Sequence, residues 1–434
     1  ITSIESTLST SLGKVPNDFD TPAVGVDQGP GNQGKRKEKQ QQQQTKKPNP
    51  GVAPQPEKAK KPTSSNTPQQ QQQQQPQSNS TLKKQPQERQ NNLFSNLQPF
   101  EQKTTESLMR RTKESDTIYP AVMATAIEMA RDNSKQGGTE RCVAMMRCFR
   151  QVIMDNYKAS ADQAISRHLD AFLRPQINYL VNARPLSVSM SHAIRHLKMI
   201  ISQLPVDIDE DEAKDVVCRG IDQFLRNRID LAGQLIVTSA LGKIREDNEV
   251  ILIYGPQPST LVAKLLIEAA NMNKRFKVIL VIGQTPLTRE DNLIRTLADR
   301  GIDCTIVPLT SIGYVLPTVT KVILGAQCIF SNGSLLSWVG SAVVGLMAKE
   351  HNVPVVVLAE TLKFTERVQL DAFVYNELAD FENNDIHHQH QQENLKAFKL
   401  VYDVMPAEYV TMVVSEVGMI PVTSVPVVLR EHPY

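Results

Sequence analysis

After Gly242 the apolar pattern of the chain changes period, and that change leaves few folds open. Beyond it, short continuous apolar runs alternate with stretches at helical spacing. The runs are Val250–Tyr254, Phe276–Ile282, Cys304–Val307, Lys321–Leu324 and Val353–Leu358. Between them, the spacing predicts helices over Ser259–Asn271, Asp291–Arg300 and Ser341–Glu350, with a short helix or loop over Thr310–Val319. Gly301 suits the C-cap of the second helix. Strands that alternate with helices imply a parallel, doubly wound sheet. Runs this apolar imply a sheet covered on both faces. Tyr409–Val414 and Val422–Leu429 close this α/β domain, assigned to residues 243–434.

Residues 93–242 read as an all-helical domain, because three- and four-residue spacings dominate and no strand-like alternation interrupts them. Tyr119-Pro120 opens one helix. A second runs from Cys142 through Phe149 to Ile153, and a third from Ile165 through Leu173 to Leu180. A fourth follows Arg184-Pro185, with Met190, Ile194, Leu197 and Ile200. A long fifth runs from Asp209 toward Lys243. Leu93, Phe94, Leu97 and Phe100 form an apolar cluster where order is expected to begin.

Residues 1–92 read as a disordered basic tail rich in Gln, Lys and Pro. Glutamine runs at Gln40–Gln44 and Gln69–Gln75 offer too little apolar surface to offset the entropy of ordering. From Gln28 to Asn92 there are twelve Lys and Arg against three acids (Glu38, Glu57, Glu88), a surplus of nine. The whole chain is only +2, so the remainder is −7. A folded body that is mildly acidic argues against a broad basic nucleic-acid face. Weak electrostatic contact with RNA stays open for the tail, although no aromatic is interleaved there for base stacking. A second polar insert, Asp380–Asn394, carries His387, His388 and His390. It reads as a solvated loop rather than a metal site, and no metal or cofactor is expected.

The five cysteines form no CxxC pair, which fits a reduced compartment better than a disulfide scaffold. No apolar run approaches the ~20 residues that span a bilayer, and residues 1–20 do not read as a signal peptide. A cytosolic protein with no membrane partner is the expectation. The chain opens on Ile rather than Met, so residues upstream of Ile1 are left open.

In open α/β sheets, ligands bind beyond the carboxyl ends of the strands. Four stretches qualify. Tyr254-Gly255-Pro256-Gln257-Pro258-Ser259 is placed to cradle a phosphate, but its two prolines each remove an N–H donor. It is neither a GxGxxG nor a Walker loop, and a stiff turn is the plainer reading. The others are Gly283–Pro286, then Gly325-Ala326-Gln327-Cys328 with Ser331-Asn332-Gly333-Ser334, and Ala359–Phe364. Asn332-Gly333 favours a turn with positive φ. Lys363 could pair a phosphate or Glu360. Cys328 has no base in its own segment and reads as a small buried apolar residue.

The same segments carry a resemblance. Gly325-Ala326-Gln327, Ser331–Gly340, His351–Val355, Glu360–Phe364, Asn376-Glu377-Leu378 and Tyr402–Pro406 resemble the regulatory subunits (alpha, beta and delta) of the guanine-nucleotide exchange factor for eukaryotic translation initiation factor two. The wider family includes aldose–ketose isomerases of ribose bisphosphate and methylthioribose phosphate. Ser415–Pro421, Ser424–Arg430 and Arg184–Met190 are similar to the delta branch. The resemblance covers about Leu93 to Arg430.

The resemblance implies a non-catalytic subunit. The isomerases use a Cys after the first strand and an Asp in a Gly-Ala-Asp motif, and those positions look like Gly255 and Gln327. Gly offers no thiolate, and an amide cannot act as a carboxylate base. The implied partners are the beta subunit as direct pair, then the alpha, gamma and epsilon subunits in a decamer, and initiation factor two with its alpha subunit phosphorylated. Arg167, Asn227 and Leu231 are the expected contacts with that substrate protein, and Leu93, Phe94, Phe398 and Leu400 the expected subunit interface. Gly255, Gln327, Asn332, Gly333 and Lys363 are assigned to a vestigial ligand pocket. Two other readings compete: a sugar-phosphate or nucleotide sensor that binds without turnover, and an active isomerase.

Overall fold

The computed structural model describes residues 117–131, 137–160, 162–245, 248–255, 259–283, 292–373, 375–379 and 399–431. The expected tail, Leu93, Phe94, Phe398 and the His-rich insert lie outside them.

The helices follow the apolar spacing. They are α1 (Pro120–Arg131), α2 (Gly138–Asn156), α3 (Ile165–Ala183), α4 (Val188–Ser202) and α5 (Glu210–Leu225). Helix α1 opens on its proline, whose missing N–H costs nothing at a first helical position. Helix α2 is central. Its Cys142, Met145, Met146, Phe149, Val152 and Ile153 recur at three- and four-residue steps and are all buried. They pack against α1, α4 and α5. Ser187 caps α4 by accepting from the Met190 N–H at 3.2 Å. Asp209 caps α5, and Glu210, Asp211 and Glu212 in its first turn complement the positive end of the helix.

The long fifth helix is not one α-helix. A π-helical segment, Arg226–Leu231, separates α5 from α6 (Ala232–Leu241), and none of its residues is buried. Core membership changes across it. Phe224 belongs to the helical core, whereas Ile236, Val237, Ala240 and Leu241 pack with the sheet. The packing therefore changes hands before the expected boundary at residue 242. Helix α6 carries a helix pattern, but its apolar face belongs to the next domain.

Seven strands form the main sheet, in the order β13-β12-β7-β4-β1-β2-β3. They are β1 (Glu249–Tyr254), β2 (Phe276–Ile282), β3 (Asp303–Pro308), β4 (Lys321–Gly325), β7 (Val355–Leu358), β12 (Met412–Ser415) and β13 (Gly418–Ile420). All pairs are parallel except β12–β13. Helices α7 (Thr260–Asn271) and α8 (Asn292–Asp299) connect β1, β2 and β3. The short α9 (Ile312–Val315) and α10 (Ser341–Glu350) lie on the route through β4 to β7. One apolar core lies on each side: Val278, Leu280 and Leu265 in one, Leu252, Val357 and Val344 in the other. The chain is thus α/β with a mostly parallel sheet, as the alternation implies. Helix α11 (Val425–Glu431) ends the described chain. Among the described residues, no helix is long and apolar enough to cross a membrane.

A smaller four-stranded sheet, β11-β6-β5-β8, lies where the sequence suggested only a turn and loops. Its strands are β5 (Cys328–Phe330), β6 (Leu335–Trp338), β8 (Phe364–Thr365) and β11 (Tyr402–Met405). Two to four residues are too few for an apolar period to register. Strands β9 (Leu378–Ala379) and β10 (Lys399–Leu400) form a separate ribbon.

Arg184, His192 and Leu362 are among the side chains that hold the helical domain to the α/β domain. Arg184, at the C-cap of α3, pairs with Glu377 at 3.0 Å and also reaches the Tyr402 hydroxyl at 3.4 Å. His192 of α4 meets the Leu362 carbonyl at 3.0 Å. Leu362 itself sits in the helical core. The Arg184 side chain is fully buried and that of Glu377 is 9% exposed. Removing one partner of such a pair strands a buried charge. Glu377→Ala is therefore expected to cost about 3–5 kcal/mol, read as a lower urea midpoint for the full chain.

Candidate functional site

Strand β1 feeds β2 on one side, while its neighbour β4 feeds β7 on the other. The connections diverge at the carboxyl ends of β1 and β4, which opens a crevice. A cavity of about 420 Å³ lies there. Tyr254, Ser259 and Thr260 line it from the end of β1 and the start of α7, and Gly325, Ala326 and Gln327 from the end of β4. Glu360 and Lys363 reach it from beyond β7. The first turn of α2 (Gly138, Thr139, Glu140) and Ile229 and Asp230 of the π segment complete the lining from the helical domain.

The local backbone explains why these residues can come so close. A Cβ on Gly325 would overlap the Ser259 side chain, so glycine lets the ends of β1 and β4 meet. Gly340 has φ +100, and a Cβ there would overlap the Tyr254 hydroxyl, which donates to the Val339 carbonyl.

Several polar groups of the cavity are engaged, although Glu360 Oε2 makes no hydrogen bond. The Gln327 side-chain carbonyl accepts from the Gly138 N–H at 2.9 Å. Glu360 and Lys363 are nine-tenths or more buried and form an ion pair at 2.9 Å. The Thr139 hydroxyl donates to Glu360 at 3.4 Å, and that of Thr260 donates to Glu140. Arg147 and Lys264 also line the cavity, so cations and carboxylates balance. Among the described residues, no Cys or His lines it. Cys328 is buried beside it in β5, and burial pushes its thiol up to about 12. Cys142 in the helical core is likewise pushed up to about 12, first by burial and then by Glu360.

Of the residues assigned from sequence, Gln327 and Lys363 line the cavity, and Gly255 directly follows Tyr254 with φ +132. Asn332 and Gly333 do not line it. The Asn332 side chain accepts from the Ser334 N–H at 3.1 Å, and Gly333 is buried with φ +80 against Val422 and Ala407. Their assignment to the pocket is corrected to a structural turn. Arg167, Asn227 and Leu231 are all exposed, the first on α3 and the other two on the π segment. The α-helical face expected at Asn227 and Leu231 is therefore a π-helical one. Leu400 is half-buried in β10, opposite Leu378. The contribution of Gly138, Thr139, Glu140 and Asp230 is not visible in the sequence, because nothing in their own segments points to partners far along the chain.

Residues 134–422 match the Initiation factor 2 subunit family. The chain belongs to that family. Among family relatives, it is 39% identical over 359 residues to the translation initiation factor eIF2B subunit delta of Schizosaccharomyces pombe, covering 80% of this chain and 74% of that one. It is 26% identical over 276 residues to the ribose 1,5-bisphosphate isomerase of Archaeoglobus fulgidus, covering 63% and 83%. A chain of the tetrameric eIF2B-beta2-delta2 complex from C. thermophilum superposes with a TM-score of 0.61 at 32% identity, covering 69% of this chain and 92% of that one.

Two expectations arise for this member of the initiation factor 2 subunit family. At about pH 8, only on the order of one in ten thousand of the Cys142 and Cys328 thiols is ionised, so iodoacetamide should leave both unlabelled in the folded chain and label both in urea. Mass spectrometry of the digested chain reads this. Asp403 caps α10 by accepting from the Gly340 and Ala342 N–H groups and the Ser341 hydroxyl. Burial outweighs these bonds and raises its carboxyl above 3.8. The folded state then holds the proton where the unfolded state has released it. Its stabilising contribution is fullest below 3.8 and is lost as pH rises through the folded value. The stability of wild type minus that of Asp403→Asn should therefore fall across the acid range and stay level above it, in urea titrations at stepped pH.

Proposed function

We propose that this chain is a delta-type, non-catalytic regulatory subunit of the guanine-nucleotide exchange factor for translation initiation factor two. The observation that carries this reading is the state of the switch-point cavity. The Gln327 side-chain oxygen accepts from the Gly138 N–H, and Glu360 is ion-paired with Lys363. The position resembling the isomerase nucleophile is Gly255, and that resembling its base is Gln327. With neither a thiolate nor a free carboxylate at those positions, isomerisation by the related mechanism has no proton acceptor. Fold without chemistry fits a scaffold, since function resides in sites grafted onto a fold. The 39% identity to an eIF2B delta subunit supports the same reading.

In this role the chain pairs directly with a beta subunit, in line with the beta2-delta2 tetramer to which it is similar. The alpha, gamma and epsilon subunits join the assembly, and exchange activity resides in a partner. The work is cytosolic. Leu93, Phe94, Phe398 and Leu400 serve the subunit interface. Arg167, Asn227 and Leu231 serve the contact with the phosphorylated alpha subunit of initiation factor two, and their exposure supports that use. A cation and an apolar residue together suit a contact in which a phosphorylated loop is ordered and then docks.

The test is co-expression with a beta-type subunit followed by native mass spectrometry. A stable complex with the beta subunit is expected, and Phe398→Asp with Leu400→Asp should abolish it. Exposed Arg167→Glu with Leu231→Asp should leave that complex intact and weaken binding of the phosphorylated substrate subunit by about tenfold or more. A monomer that turns over ribose 1,5-bisphosphate would sink the proposal. Gln327→Asp alone should stay inactive, because Gly255 supplies no thiol. Thermal stabilisation by sugar phosphates without turnover would favour the sensor reading instead.

A further inference from the structure

We infer that Gln327 is the N-terminal cap of α2, supplied across the seam between the two domains, and that it positions the first turn of that helix over the strand ends. The first four N–H groups of an α-helix have no acceptor within the helix. Most helices satisfy one of them with a Ser, Thr, Asp or Asn just before the first turn. Helix α2 has Gly137 at that position, which has no side chain to offer. The first N–H of α2, on Gly138, donates instead to the Gln327 side chain at 2.9 Å. Gln327 lies 189 residues further along the chain, just past β4.

The seam is built for this contact. A Cβ on Gly138 would stand 2.8 Å from the Gln327 oxygen and 3.1 Å from Ser187 Cβ, so a side chain there would push the Gln327 side chain and Ser187 aside. Gln327 is itself buried and anchored, because its own N–H donates to the Leu336 carbonyl of β6 at 2.9 Å. The next residue of the helix repeats the pattern, since the Thr139 hydroxyl reaches Glu360 beyond β7. The start of α2 is thus held by the ends of two neighbouring parallel strands. Helices α4 and α5, by contrast, are capped locally by Ser187 and Asp209. Helix α2 is also the one at the centre of the helical core, so its placement governs what packs on it. Gln327 acts here through Gly138 and is a positioning residue. The position that resembles an isomerase base has a structural task that an amide performs well.

The test is hydrogen–deuterium exchange of the full chain by mass spectrometry, comparing wild type, Gln327→Ala and Gln327→Glu. This does not depend on assembly with other subunits. Peptides spanning the start of α2 should exchange about tenfold faster in Gln327→Ala, while peptides of β1, β2 and β4 keep their protection. Gln327→Glu keeps an acceptor oxygen of the same reach and should restore the slow exchange. Unchanged exchange at the start of α2 in Gln327→Ala would overturn the inference. So would a loss of protection spread evenly over the sheet, and so would failure of Gln327→Glu to restore the local protection.

Discussion

The buried pairing of Arg184 with Glu377 is the constraint on which the two-domain arrangement rests. An arginine taken wholly out of water is tolerable only if its charge and its donors are met. Here the carboxylate comes from a segment just ahead of β9, and the Tyr402 hydroxyl from the first residue of β11. The pair therefore forms only when the helical domain, the ribbon and the small sheet are in place together. Nearby, Arg141 of α2 is also buried and donates to the Pro185 carbonyl at 3.0 Å. Burial lowers its pKa, and Tyr402 and Glu377 oppose that shift. Arg141 thus ties α2 to the chain just past α3, while Arg184 carries the link to Glu377. Apolar packing alone would let the domains slide, since it has no direction. Hydrogen-bonded charges fix an orientation.

That orientation has a consequence for chemistry. With the helical domain seated, α2 and the π segment stand over the place where an open α/β sheet would receive a ligand. The cavity is real, but its strongest groups face each other. Glu360 and Lys363 are ion-paired, Gln327 holds a backbone amide, and burial raises the thiol pKa of Cys328 beside it. A catalytic carboxylate must be free to take a proton near the working pH. The amide of Gln327 offers no such carboxylate. The initiation factor 2 subunit fold is thereby kept while its strand ends are turned to internal bonding.

Much of this frame was legible in the residues. The run Phe276–Ile282 is β2 to the residue, and Ser341–Glu350 is α10. Both are long enough for a period to register and end at a clear break. Gly301 was readable as a C-cap and has φ +78. The strands β5, β6, β8 and β11 were not legible, because each is too short to show alternation and they pair mainly with distant segments. The seam was illegible for a related reason. Nothing about Gln327 or Glu377 in its own segment names a partner in the helical domain. Asn332-Gly333 misled in the opposite sense. Its turn chemistry was correctly read, but a turn at a strand end was taken for part of the ligand pocket, and the small sheet places it elsewhere.

The π segment shows how a helix pattern can hide a domain boundary. Its apolar residues keep the spacing of the long fifth helix, so the sequence reads straight through from Asp209 toward Lys243. Yet α5 presents its apolar face to the helical core, and α6 presents its own to α7 and β12. An unbroken α-helix would keep those faces in one continuous stripe. An i→i+5 turn adds a residue to the cycle and rotates the helix beyond it. It also leaves Arg226, Asn227 and Leu231 facing solvent between two cores, with Ile229 and Asp230 turned to the cavity. Such segments recur at functional sites because their residues are not committed to packing. The rotation that lets one helix serve two domains therefore also leaves this segment without a buried residue.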